Sequence, residues 1–236
     1  MSGIDSTFAS IIGWTATALS CFFFISPLNM FIKMTKTKSC EEIPYLMLLC
    51  NTGNTLLWFV YGMAGGGDKV WICNAIGLFF STIYVIWYHF YKFEEWWKIL
   101  LAQLGFLIFL GGFLAIGIYA KTDFIFAYNI KEGFGWAALV VNIMMYAAPG
   151  QNLYNVFKTE NHNLLPIVSI VVCFFNCIFW LIYSLSKFDA IDYKIFIANA
   201  LGLVFSLIQF FIWFYFYRKQ GFRTTLETKL VDEEEK

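Results

Sequence analysis

The chain has 236 residues, of which 60% are apolar and 14% charged, with 28 Phe, 9 Trp and sixteen basic residues balanced by sixteen acidic ones. Such a composition describes a protein solvated by lipid, and the zero net charge excludes a nucleic-acid binder, which needs a basic face. Six cysteines include no CxxC pair, and Cys21, Cys50, Cys73, Cys173 and Cys177 sit inside apolar runs, so neither a disulfide framework nor a zinc site is indicated.

A bilayer core of about 30 Å takes about 20 helical residues to cross, and seven apolar runs meet that length. The first, 8–32, has no basic region ahead of it and reads as a mature span, not a cleaved signal. It contains Pro27. The second, 44–63, starts at Pro44 and carries Asn54, Trp58 and Tyr61 at i, i+4 and i+7, one helical stripe. The third, 70–90, brings Asn74 and ends at His89, expected to be solvated. The fourth, 99–120, has no counterpart elsewhere in the chain. The fifth, 134–157, contains Pro149; the sixth, 164–186, starts near Pro166 and carries Asn176, Trp180 and Tyr183; the seventh, 193–217, brings Asn199. A polar tail, 218–236, is expected to lack structure.

These elements contain a duplication. All four prolines fall into two pairs of identical spacing: Pro27 and Pro44, then Pro149 and Pro166, at an offset of 122. The same offset carries Lys36 onto Lys158, Asn54 onto Asn176, Trp58 onto Trp180 and Tyr61 onto Tyr183; after a three-residue gain, Asn74 falls on Asn199, Gly77 on Gly202 and Ser81 on Ser206. Three crossings form an odd unit, so two directly joined copies would be inverted; the fourth span restores the orientation. The expected fold is therefore an all-α membrane protein of seven transmembrane helices, arranged as two parallel three-helix repeats joined by a linker helix. The divisions are 1–98, 99–122, 123–217 and the tail 218–236.

Eleven Lys and Arg lie in the first, third and fifth connections plus the tail, against five on the other face. By the positive-inside bias the N-terminus is extracytoplasmic and the C-terminus cytosolic, with the plasma membrane favoured over an endomembrane. No carboxylate falls at mid-membrane, where an ion-coupled transporter generally keeps one. Uncoupled movement of a neutral solute follows. Catalysis has no candidate: there is no HExxH, no paired aspartate and no His beside a nucleophile within a span. No cofactor or metal is implied.

The duplicated stripes outline a site. An indole face packs against the C–H surface of a sugar ring, while an amide satisfies hydroxyls. Trp and Tyr also form interfacial belts, and Asn also joins helices in lipid, but recurrence of Asn54, Trp58 and Asn74 as Asn176, Trp180 and Asn199 at matching depth favours a shared cavity. Pro27 and Pro149 interrupt helices, whereas Pro44 and Pro166 suit first turns; the four together are expected to hinge an inner gate. Tyr61, with Asp189 six residues beyond Tyr183, is expected to close the outer exit.

The segments SPLNMFIKMTKTKSCEEIPY, NTLLWFVYG and VWICNAIG, followed by APGQNLYNVFKTENHNLLP, NCIFWLIYS and IFIANALG, resemble the SWEET family of sugar transporters over residues 8–217. The resemblance implies a seven-helix facilitator with the proline tetrad above, a sugar site on Trp58, Trp180, Asn74 and Asn199, size-tuning positions at Asn54 and Asn176, and an outer gate of Tyr61 and Asp189. SWEETs are themselves an example of parallel repeats about an axis along the membrane normal. Asn54 and Asn176 often have smaller counterparts in that family, and Phe23 and Met145, each four before a hinge proline, are bulky, which favours a hexose such as glucose over a disaccharide. The expected partners are a small sugar and membrane lipid, with homo-oligomerisation left open. Rival readings are another PQ-loop transporter, suggested by Pro149-Gly150-Gln151, and a seven-helix receptor.

Overall fold

The computed structural model describes residues 3–40, 43, 45–93, 95–119, 124–147, 150–162, 165–186 and 191–234. Among them are nine α-helices and no strand: α1 (Gly3–Ile25), α2 (Leu28–Thr37), α3 (Tyr45–Tyr61), α4 (Asp68–Lys92), α5 (Trp96–Tyr119), α6 (Phe124–Ala147), α7 (Gly150–Thr159), α8 (Ile167–Leu185) and α9 (Tyr193–Glu234). Five segments are long and apolar enough by themselves to cross a membrane: Thr7–Thr37, Asp68–Lys92, Trp97–Tyr119, Ile167–Leu185 and Tyr193–Gly221. The other two crossings are α3, extended by a π-helical turn over Gly62–Gly66, and α6 followed by α7.

Proline divides the first crossing into α1 and α2. Pro27 has no N–H to give the Phe23 carbonyl, and the hydroxyl of Ser26 donates to that carbonyl at 2.8 Å instead. The next freed carbonyl, Phe24, accepts from Tyr84 Oη at 3.1 Å. Side chains thus satisfy two of the carbonyls at the kink. The duplication extends to the ends of the short inner helices: Lys38 after α2 and Glu160 after α7 are, among the described residues, the two non-glycine residues with positive φ, at 53° and 54°. Where α3 turns into α4, Gly65 and Gly67 take φ of 101° and 124°, conformations open to glycine and costly for other residues.

Within each repeat the third helix takes the contacts: α1 and α3 pack on α4, and α6 and α8 pack on α9. Between repeats, α1 packs on α8 and α3 on α6, so the two halves meet through equivalent helices. The linker α5 lies against α3 and α4 through Leu56, Leu78 and Leu110, meets α6 through Phe113 on Phe134 and Tyr119 on Phe126, and is largely exposed elsewhere. Helices in lipid associate through close packing of small residues rather than through the hydrophobic effect. Ala16 and Ala138, 122 apart, are accordingly both fully buried at the junction of the halves. The inner ends repeat as well, with Met34, Ile43 and Leu48 in one cluster and Val156, Leu165 and Ile170 in another. Below, the outer end is the one bearing the N-terminus, and the inner end the one bearing α2 and α7.

Three features differ from the sequence expectation. The fifth crossing starts at Phe124, ten residues before 134, because Lys131 and Glu132 interrupt the apolar run without interrupting the helix. The tail from residue 218, expected to lack structure, continues α9 as helix to Glu234; it contains no proline and many Lys, Glu and Leu, which favour helix. His89, expected to be solvated, is buried, with Nε2 2.8 Å from Tyr45 Oη at the inner end of the first repeat.

Candidate substrate cavity

A cavity of about 330 Å³ lies between the halves. Its lining includes Trp58, Asn54 and Asn74 from the first repeat and Trp180, Asn176 and Asn199 from the second, together with Phe23, Met145 and Pro166. The structure thus brings eight of the expected pocket positions and one expected hinge proline onto one space. Pro166 precedes α8, and its carbonyl accepts from the Ile170 N–H at 3.1 Å. Pro27 stands at the α1–α2 break, while Pro44, Pro149 and Asp189 lie outside the described residues.

The two half-sites share their geometry. Trp58 meets Tyr61 edge to face with centroids 5.3 Å apart and planes at 87°; Trp180 meets Tyr183 at 5.4 Å and 89°. Asn74 Nδ2 donates to the Val70 carbonyl, and Asn199 Nδ2 to the Ile195 carbonyl, each at 2.8 Å and each four residues back along its helix. That bond fixes each amide and leaves its oxygen and second N–H for the cavity. Gly77 and Gly202 let rings from the first helix of each repeat press on the third: a Cβ at either would stand 2.5 Å from Phe24 or Tyr146.

One part of the lining is not symmetric. Trp180 Nε1 donates to Ser20 Oγ at 3.1 Å, and Ser20 Oγ donates to Asn176 Oδ1 at 2.8 Å. The residue 122 beyond Ser20 is Asn142, also in the lining. Across the cavity Asn54 Oδ1 is buried without a hydrogen-bond partner. A buried acceptor in that condition favours a hydroxyl-bearing ligand. Ser20 and Asn142 escaped the sequence reading because their residue types differ between copies; their shared offset and polarity within apolar helices were the available signal.

At the outer end Tyr61 is fully buried, and its hydroxyl donates to a carboxylate oxygen of Asp192. Asp192 also caps the start of α9: its backbone carbonyl accepts from Phe196 N at 2.9 Å, and its Oδ1 from Ile195 N at 3.4 Å. Among the described residues, the carboxylate bonded to the Tyr61 hydroxyl is that of Asp192. The signal for it was an acidic residue just ahead of a helical run, as with Asp68 at the start of α4. Among the described residues no group of His, Cys, Asp and Glu could hold a metal ion.

Fold and cavity define a polytopic helical membrane protein in which two similar three-helix units enclose one solute-sized space. The profile of the family described as "Sugar efflux transporter for intercellular exchange" matches residues 10–95 and again 132–221. The chain belongs to this family. It is similar to bidirectional sugar transporter SWEET8 of Arabidopsis thaliana, 30% identical over 234 residues covering 94% of this chain and 93% of the relative. It is also similar to sugar transporter SWEET1 of Danio rerio, 28% identical over 211 residues covering 84% and 90% of the two chains. A solved eukaryotic SWEET transporter, 24% identical, matches the fold with a TM-score of 0.73, covering 89% of this chain and 99% of that one.

Proposed function

We propose that the protein moves a neutral sugar, a hexose such as glucose, down its gradient across a membrane by alternating access. The carrying observation is the pair of matching indole and amide half-sites on a single cavity. Each tryptophan offers an apolar face to one side of a ring, and the four asparagines and Ser20 offer donors and acceptors to its hydroxyls. Relatives named as bidirectional sugar transporters support the substrate class. The volume of about 330 Å³ lies near the small end of ligand pockets, about 300–1,000 Å³, and Phe23 and Met145 narrow it, which favours one ring over two.

In this reading Tyr61 with Asp192 closes the outer end, and Pro27, Pro44, Pro149 and Pro166 are the hinges of the inner one. The N-terminus is extracytoplasmic, the C-terminus cytosolic, and the plasma membrane is the expected location. The described residues of the cavity lining include no carboxylate, which supports uncoupled transport. Counterflow of labelled glucose in proteoliposomes tests the site: Trp180→Ala and Asn199→Ala should each abolish flux while the protein remains folded in the membrane. Unchanged flux in either variant would remove that residue from the site.

A further inference from the structure

Tyr61 belongs to the first repeat, yet it seats in a notch whose walls are two helices of the second. Its ring faces Gly135 of α6, where a Cβ would stand 2.8 Å from ring carbons, and its hydroxyl reaches Asp192 ahead of α9. Those walls are tied together by one ion pair. Lys194 Nζ lies 3.0 Å from both carboxylate oxygens of Glu132, and the ammonium sits 5.3 Å from the centroid of the Trp136 ring. The lysine side chain is 11% exposed, and its stem leaves no room for a Cβ at Gly135. Charge, ring and stem therefore fix α6 to the start of α9 beside Tyr61.

The first repeat holds the same arrangement with one piece missing. Gly13 and Trp14 stand 122 residues before Gly135 and Trp136, and Lys69 stands 125 before Lys194. A Cβ at Gly13 would meet the Tyr183 ring at 2.8 Å, and Lys69 Nζ lies 5.3 Å from the Trp14 centroid. The residue 122 before Glu132, however, is Ser10. Among the described residues Lys69 has no carboxylate partner. One tyrosine notch is held by an ion pair, the other by a cation over a ring.

We propose that Glu132 and Lys194 are positioning residues of transport: they hold the notch that receives Tyr61 and so keep the outer end shut until substrate opens it. This rests on the reading of Tyr61 and Asp192 as the outer closure. The ion pair acts through Asp192, which sits two residues before Lys194, and through α6, against which the Tyr61 ring packs. Neither Glu132 nor Lys194 lines the cavity, so their loss changes the balance of conformations rather than contact with sugar.

A sided affinity measurement separates this role from general support of the fold. Where the outward-open form is a minor species, apparent affinity from outside scales with its population. Loss of a partly buried ion pair should raise that population about three- to tenfold. Glu132→Gln should therefore lower the external half-saturation concentration for glucose exchange by that factor and leave the internal value nearly unchanged. Exchanging the charges, Glu132→Lys with Lys194→Glu, should return the external value toward that of the parent. Ser10→Glu, which supplies Lys69 with the missing carboxylate, should raise it. Equal changes on both faces, no change, or failure of the exchanged pair to restore would overturn the proposal. Tyr61→Phe completes the set. If it lowers the external value and Glu132→Gln does not, the ion-pair role fails and the outer closure stands; if neither does, the closure itself is wrong.

Discussion

Replacing Ser20 by Ala removes a single hydroxyl that carries two hydrogen bonds, one from Trp180 Nε1 at 3.1 Å and one to Asn176 Oδ1 at 2.8 Å. The two partners respond differently. Asn176 lines the cavity, so its oxygen can accept from water or ligand when Ser20 is gone. Trp180 is 7% exposed, and an N–H left unpaired at that depth costs about 1–3 kcal/mol. The indole is expected to rotate toward another acceptor, giving up its edge-to-face contact with Tyr183 and its place on one side of the ring site. A penalty of about 1–2 kcal/mol corresponds to about a five- to thirtyfold change in an equilibrium constant. The expected readout is a rise of that size in the half-saturation concentration for labelled glucose exchange in proteoliposomes, with Ser20→Thr, which keeps the hydroxyl, close to the parent. A Ser20→Ala protein whose exchange curve overlays that of the parent would show that the Trp180–Ser20–Asn176 chain does not set the geometry of the site.

Gly77→Ala forces a Cβ to 2.5 Å from the Phe24 ring and Gly202→Ala to 2.5 Å from the Tyr146 hydroxyl; overpacking of this kind costs about 1–3 kcal/mol, and both should melt earlier in detergent, which a thermal unfolding scan will read. Ser26→Ala withdraws the shorter of two bonds to the Phe23 carbonyl at the Pro27 break and leaves it the Ser26 N–H at 3.3 Å, so it should lower thermal stability by about 0.5–1 kcal/mol, whereas the double change with Pro27→Ala should not, because a straight helix supplies its own donor. Asn54→Ser with Asn176→Ser should admit labelled sucrose if amide length limits the cavity; no gain in sucrose uptake would count against the size argument.

Most of the fold could be read from the offsets. Prolines, tryptophans and asparagines that recur at 122 and 125 residues fixed the number of repeats, and an odd number of crossings per unit required the linker that α5 supplies. Asn54 and Trp58 with their copies Asn176 and Trp180 stood out as helical stripes, and Asn74 and Asn199 by their offset, whereas Phe23 and Met145 came only with the family resemblance. Pairings across repeats were not. Ser20 reaches Asn176 and Trp180 from 156 and 160 residues away, and nothing local in α1 distinguishes a serine that bridges the halves from one that bonds its own helix. Asp192 stands out in the sequence only as an acidic residue ahead of a helical run, and its contact with Tyr61 is decided by where α9 begins. The Glu132–Lys194 pair was hidden for a related reason: both residues fall at span ends, where charges are ordinarily solvated, and only the packing of α6 on α9 brings them together.

The account rests on a neutral solute moving without a coupled ion. Proteoliposomes containing the purified protein and loaded with equal glucose inside and out should exchange labelled glucose, and an imposed pH gradient should produce no accumulation above equilibrium. Accumulation that follows the direction of the pH gradient would contradict it.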